Sequence, residues 1–313
     1  MIKFDKKLQA FHISTQNSSY IIYIHHGIVS HCYYGAKIPD DDDISYLLRA
    51  TEIPYGKDAF YREKLSFEDM FYKEYPTDGI GDYRETSLSI SNETNNNAVE
   101  LFFKDYSIQN GTEKLPGLPC VFGEKKNSQT LKIITEDKIL GLEVTLLYTV
   151  FDNSDAIVRS SVITNTNSDK SLFINKAYSA SLDFDNKNYD VLTLHGTWGR
   201  ERHFDRHPVH MGKQSASSNR GISSHQEHPF IAILDKNADN NLGNVWGINF
   251  IYSGNFLAQA QRTQFDSIRV TMGINPEYFR WKLNAKESFY TPQAVLTYSN
   301  TGLNGMSHSY HEL

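Results

Sequence analysis

Leu142-Glu143-Val144-Thr145-Leu146-Leu147-Tyr148-Thr149-Val150 decides the fold class. Leu142, Val144, Leu146 and Tyr148 fall on one side of an extended chain, with Glu143 and Thr145 opposite, because side chains alternate along a strand. Leu147 breaks the alternation and points to burial on both faces. Downstream, Ile157-Val158-Arg159-Ser160-Ser161-Val162-Ile163-Thr164 is again β-branched, with polar residues at its centre and apolar ones at its ends.

The same texture extends in both directions. Upstream β-rich runs cover 19–24, 28–34, 99–103 and 131–135. Downstream ones cover 171–184, 191–195, 230–234, 245–252, 256–260, 267–272, 278–283 and 294–298. Runs this numerous, with no helical pattern of ten residues or more among them, exclude a βαβ fold. A single barrel would have to be very large. An all-β molecule of two long antiparallel sheets, face to face, is the expectation. No boundary and no repeat interrupts it before about residue 300.

Three segments differ. Asp40-Asp41-Asp42-Asp43 is a charge run without the spaced ligands and Gly turn of a cation site. Short helices are expected at 44–50 and at 66–73, the second capped by Ser66, with irregular chain over 51–65. At the end, Leu303, Met306, Tyr310 and Leu313 make the apolar stripe of an amphipathic helix with Asn304 as its cap. That helix stops without a C-cap, so its stripe is expected to await a partner surface in a longer protein.

Charge and composition narrow the function. Lys plus Arg is 31 against Asp plus Glu 37, a net charge of −6, which argues against a nucleic-acid binder. With 39% hydrophobic and 22% charged residues the chain is neither a membrane bundle nor disordered. The longest apolar run, 20–24, is too short to span a bilayer. Cys32 and Cys120 read as buried small hydrophobes rather than a disulfide pair. Met1 to Asp5 opens no secretory leader, so a soluble cytoplasmic protein is expected.

No phosphate loop, zinc-spaced Cys/His set or Gly-x-Ser-x-Gly elbow is present. His203, Asp205 and His207 would share a strand face, with His210 nearby. Arg202 and Arg206 interleave cations that oppose a metal, and no metal or cofactor is expected. Gly196-Thr197-Trp198-Gly199-Arg200-Glu201-Arg202 is sharper. Small neighbours on both sides would leave the Trp198 indole free to stack on a sugar while Arg200, Arg202 and Glu201 bond its hydroxyls. The alternative is an indole packed on the sheet, with the arginines paired to Glu201 and Asp205.

An ordered series of short motifs then carries a resemblance. After Gly196–Arg202 come Arg220-Gly221-Ile222-Ser223-Ser224-His225-Gln226, Pro229-Phe230 and Tyr252-Ser253-Gly254-Asn255-Phe256. Met272-Gly273-Ile274-Asn275-Pro276, Gly302-Leu303-Asn304-Gly305-Met306-Ser307 and Tyr310-His311 follow. Earlier matches are Tyr34-Gly35, Glu74-Tyr75-Pro76, Asp82-Tyr83-Arg84 and Gly141-Leu142-Glu143-Val144-Thr145. Together they resemble the N-terminal domain of bacterial α-galactosidases of glycoside hydrolase family 36, across essentially the whole chain.

The resemblance implies a large antiparallel β-supersandwich of the galactose mutarotase-like kind over 1–302. Residues 303–313 would begin a linker helix to a (β/α)8 barrel absent from this chain. It implies a retaining hydrolase acting on melibiose and raffinose-type oligosaccharides, with its aspartate pair in the barrel and the nucleophile in Lys-Trp-Asp. The tryptophans Trp198, Trp246 and Trp281 all lie in other contexts, so no catalytic residue is expected here. The implied substrate contacts are Trp198 and Arg200 at the pocket mouth and, toward a neighbouring subunit, Glu52. The family's loop acid aligns with Leu48, and Asp43 is the other substitute; His228 also departs from the family's usual Asn. The implied partners are a galactosyl oligosaccharide, the chain's own barrel and further copies in a tetramer, with no nucleic acid and no membrane. The second reading is a free-standing carbohydrate-binding or mutarotase-like sandwich.

Overall fold

The computed structural model describes residues 1–39, 43–47 and 71–313. The strands begin with β1 (Ile2–Asp5), β2 (Ala10–Ser14), β3 (Ser18–His25), β4 (Ile28–Ala36), β5 (Leu88–Asn92), β6 (Phe102–Asn110) and β7 (Ser128–Asp137). Next come β8 (Leu142–Phe151), β9 (Ser154–Asn165), β10 (Leu172–Asp185), β11 (Asp190–Thr197), β12 (Arg200–Pro208), β13 (Gly212–Ser217) and β14 (Glu227–Leu234). The last are β15 (Val245–Ile251), β16 (Phe256–Arg262), β17 (Ser267–Ile274), β18 (Trp281–Leu283), β19 (Ser288–Tyr290) and β20 (Gln293–Ser299), followed by the helix α1 (Gly302–His311).

The described residues form three sheets. One is the meander β1-β2-β3-β4, the second runs β13-β16-β17-β10-β18 with β5 also on β10. The third is ten-stranded, in the order β12-β11-β14-β15-β20-β9-β8-β7-β6 with β19 beside β9. The decisive stretch is its centre: β8 pairs with β7 and β9, Leu146 facing Ile133 and Val144 facing Ile163.

One face of the ten-stranded sheet carries Leu131, Ile133, Leu146, Tyr148, Ile231, Ile248 and Leu296 into a single core. Phe11, Ile13 and Tyr20 from the four-stranded sheet, and Leu182, Phe256 and Val270 from the six-stranded one, close over it. The layer drawn from the sequence as one sheet is therefore two, with 71–88 linking them through the bridges Ser30–Lys73 and Thr77–Leu88. This is an antiparallel β-supersandwich.

The opposite face of the large sheet is covered by α1. Met306 sits among Leu192, Phe230, Ala232 and Val245, with Leu303 and Tyr310 beside it. Leu313 and Tyr310 reach Phe151, Val158 and Val295. The expectation that this stripe awaits a partner outside the sandwich is thus overturned: its partner is the sheet itself. Asn304 is not the cap either. The helix starts at Gly302 after Thr301, which makes no side-chain cap bond. Its leading N–H groups at Gly302, Leu303 and Asn304 donate to the carbonyls of Gly243, Asp239 and Asn240, so a neighbouring turn satisfies the orphan donors.

Of the short helices expected earlier, Ile44–Leu47 forms a 3-10 turn, and the remainder of 44–50 lies outside the described residues. Phe71 to Lys73 are not helical; 51–65 and the rest of the second helix also lie outside the described residues. No helix among the described residues is long and apolar enough to cross a membrane.

Candidate functional site

β11 and β12 form a hairpin in which Thr197 faces Arg200, leaving Trp198-Gly199 as its turn. Gly199 has φ +76°, the left-handed backbone that a tight turn requires at its second central position. Just below, the register shifts between His195 and Thr197, and Arg202 also takes a positive φ of 60°. At this irregularity the returning strand crosses Gly196 so closely that a Cβ there would collide with the carbonyl of Arg200. The two glycines bracketing Trp198 therefore have separate jobs, a close crossing and a turn.

The hairpin tip leaves Trp198 87% exposed, so the packed alternative for the indole does not hold. Arg200 is exposed beside it. Glu201 turns back to accept the Gly199 N–H at 2.9 Å. Chiefly that bond, then its own N–H and more weakly His225 and Arg202, holds the carboxyl of Glu201 below its usual range.

Behind the tip lies a cleft of about 600 Å³, walled by Leu194, Glu201, Arg202, His225, His228 and Pro229. Burial first, and Arg202 second, push the pKa of His228 down, so at neutral pH this ring is uncharged and offers one donor and one acceptor. A carboxylate, a guanidinium and imidazoles beside a bare indole form a surface suited to hydroxyl groups.

The motifs scattered along the sequence converge here. The Gly196 N–H donates to the Gln226 carbonyl at 3.0 Å, and that of Ser223 to the Ser253 carbonyl at 2.8 Å. Asn255 Oδ1 accepts the Gly221 N–H at 2.6 Å, and the Asn255 carbonyl accepts that of Asn275 at 3.2 Å. One hydrogen-bonded cluster thus joins 196–202, 220–226, 252–256 and 272–276 at one end of the sandwich.

His203, Asp205 and His207 do alternate along β12. However, His207 stacks parallel on His210, ring centroids 5.8 Å apart, and Arg206 is spent on Asp190 and on the carbonyls of Asp235, Lys236 and Ala238. Among the described residues no group of three or more His, Cys, Asp or Glu converges to hold a metal ion. Sequence reading missed a pair in this region, His195 Nδ1 to Glu227 Oε2 at 2.8 Å, with Thr193 Oγ1 2.6 Å from the other ring nitrogen. Their separation along the chain left no signal to find.

Glu52 and Leu48 lie outside the described residues. Asp43 accepts the Ser45 N–H at 2.9 Å as a local cap. Cys32 and Cys120 form no disulfide, but neither is buried as expected: both are partly exposed.

The model of the glycosyl hydrolase family 36 N-terminal domain matches residues 27–284. Over 314 residues the chain is 38% identical to the α-galactosidase AgaA of Geobacillus stearothermophilus, covering 100% of this chain and 43% of that protein. The solved galactosidase domain of the α-galactosidase–sucrose kinase AgaSK superposes with a TM-score of 0.93 at 35% identity, covering 99% of this chain and 43% of the other. A variant of the Geobacillus stearothermophilus enzyme, solved in complex with raffinose, superposes with a TM-score of 0.91 at 39% identity, over 97% of this chain and 42% of its own. The chain therefore spans less than half the length of the relatives it matches.

Proposed function

This chain belongs to glycosyl hydrolase family 36 as its N-terminal domain, and from that premise we propose that it is the non-catalytic part of an α-galactosidase. The whole enzyme releases terminal α-galactose, with retention, from melibiose and raffinose-type oligosaccharides. One observation carries the reading: all of this chain aligns with 43% of an α-galactosidase while none of its tryptophans stands in a Lys-Trp-Asp motif. The aspartate pair belongs to the remaining part of the enzyme, a barrel. Residues 1–302 make the sandwich, and 303–313 begin the helix that leads to that barrel. A relative solved with raffinose supports the substrate class.

The domain's contribution is the pocket rim. Trp198 stacks on the apolar face of the oligosaccharide, and Arg200 bonds its hydroxyls. Glu52 reaches the site of a neighbouring copy in a homo-oligomer. The exposure of Trp198 and the polar cleft behind it support the rim role. Two free thiols suit a reducing, cytoplasmic setting.

A chromogenic α-galactoside tests the reading. The 313-residue chain is expected to give no turnover, and the chain joined to its barrel normal turnover. Turnover by the 313-residue chain, abolished by substituting one of its own carboxylates, would overturn it.

A further inference from the structure

Far from the hairpin, the three sheets meet around a second cavity of about 390 Å³. β4 contributes Tyr33, the end of β10 and its following turn contribute Phe184, Asp185 and Tyr189, and the large sheet contributes Asp235, Trp246 and Tyr298. The rings form a fixed aromatic corner. The Trp246 centroid lies 5.5 Å from Phe184, 5.4 Å from Tyr189 and 5.3 Å from Tyr298, and its N–H is spent on the Tyr34 carbonyl at 3.0 Å. The polar groups are equally held. Asp235 Oδ2 accepts the N–H and the Nδ2 of Asn244 at 2.9 and 2.7 Å, and Tyr298 donates to Asn244 Oδ1 at 2.6 Å.

Two groups are left over. Among the described residues, Asp235 Oδ1 meets no protein donor, and the Tyr189 hydroxyl has no hydrogen-bond partner. Burial, with Asp235 and Asp185 nearby, raises the Tyr189 pKa to about 12, so the phenol keeps its proton and stays a donor. Charge and hydrogen-bonding capacity together narrow the ligand. Asp183 on the cavity wall is neutralised by Arg269 at 2.8 Å, and Lys187 stands on the wall with Asp185 and Asp235. Two carboxylates against one ammonium leave an excess negative charge, which disfavours an anion, while the Tyr189 hydroxyl offers a proton that a simple cation has no acceptor to meet. A fixed acceptor and a fixed donor beside aromatic rings match neighbouring hydroxyls on a ring with an apolar face.

The geometry points to this cavity as a second binding site, for a neutral saccharide, separate from the rim at Trp198. The rim proposal is not needed for it.

The chain itself provides the probe. It has three tryptophans, so Trp198→Phe with Trp281→Phe leaves Trp246 as sole indole and removes the rim platform. Titrating this variant with galactose and with raffinose is expected to give a saturable change in Trp246 emission. Tyr189→Phe on the same background deletes one hydrogen bond and no packing, and is expected to weaken binding about 3- to 10-fold. Absence of a saturable change with either sugar would overturn the inference. So would a change that Tyr189→Phe leaves untouched, or one reproduced at lower concentration by spermidine, which would make the cavity a cation site. Binding at Trp246 that persists while the rim proposal fails would leave this inference standing.

Discussion

At the scale of single residues, exposure separates recognition from support. Trp198 touches almost nothing in its own chain, so Trp198→Ala should shift stability by no more than about 0.5 kcal/mol. In the enzyme joined to its barrel the same change should weaken substrate binding or kcat/KM about 5- to 30-fold, the worth of a stacking contact of about 1–2 kcal/mol. Thermal melts and steady-state kinetics on one variant check both. A large stability loss with normal kinetics would make Trp198 structural. Glu74 is the opposite case, with its side chain wholly buried. It accepts from Tyr20 at 2.5 Å and Tyr148 at 2.8 Å and pairs with Arg159 at 2.8 Å. Glu74→Gln strands the Arg159 charge in the core and should cost about 3–5 kcal/mol, read by denaturant unfolding. The glycines flanking Trp198 made its exposure one of two readings in the sequence, beside an indole packed on the sheet. Arg159 stood out only as a polar centre in an apolar strand; its partner enters from 71–88, and nothing local shows such a pairing.

At the scale of elements, legibility followed the length of the apolar pattern. The central strands β7 to β10, β15, β17 and β20 were all expected, because alternation or dense apolar runs survive wherever a face is covered. Those missed were β1, β2, β5, β12, β13 and β19. β12, Arg200–Pro208, is an edge strand with almost no buried side chain, and β13 is a polar edge strand too. Edges have no apolar face to announce them, whereas β2 and β5 are largely buried but only five residues long, with His12 and Ser14 or Ser89 and Ser91 diluting their apolar residues. The series of motifs did not show that its members converge, because the bonds joining 196–202 to 220–226 and 252–256 are mostly between backbone groups. The helix α1 was legible as a stripe, whereas its partner was not, since amphipathic spacing says that a face is covered and not by what. Met306 is 7% exposed against the sheet, and Tyr310 Oη donates to the Val295 carbonyl at 3.3 Å. In the isolated chain the intrahelical amides of 306–311 should therefore exchange slowly, and Met306→Ala should cost about 2–5 kcal/mol. Fast exchange there in the native chain would mean the helix needs the barrel to dock.

At the scale of the whole molecule, the buried charges staple the three sheets together. Glu74 and Arg159 join β3 and β9 through the Tyr20 hydroxyl, and Arg159 also donates to the Ser181 carbonyl of β10 at 2.6 Å. A second cluster binds the 71–88 linker to the six-stranded sheet: Arg269 grips Asp183 at 2.8 Å and Asp82 at 3.1 Å, and Arg84 grips Asp82 at 2.9 Å. Burial alone would raise the Asp82 pKa, but Arg269 and Arg84 overcome it and hold the group at about 2, below its ordinary 3.8. Glu74 is lowered in the same direction, burial opposing and Arg159, His31 and Tyr20 prevailing, and so is Glu85, through Lys176 and Lys213. A folded-state pKa below the unfolded one means that the unfolded chain binds the proton more readily. The stability from these carboxylates is therefore complete above about pH 5 and lost as pH falls through the unfolded values toward about 2, with Asp82 alone worth on the order of 2 kcal/mol. Because the first cluster spans all three sheets and the second ties their linker to one of them, acid should unfold the molecule in a single step. Far-UV circular dichroism and tryptophan emission should trace the same transition between about pH 4 and pH 2. If emission changed first and strand signal remained, the sheets would be separable units and the charges merely local.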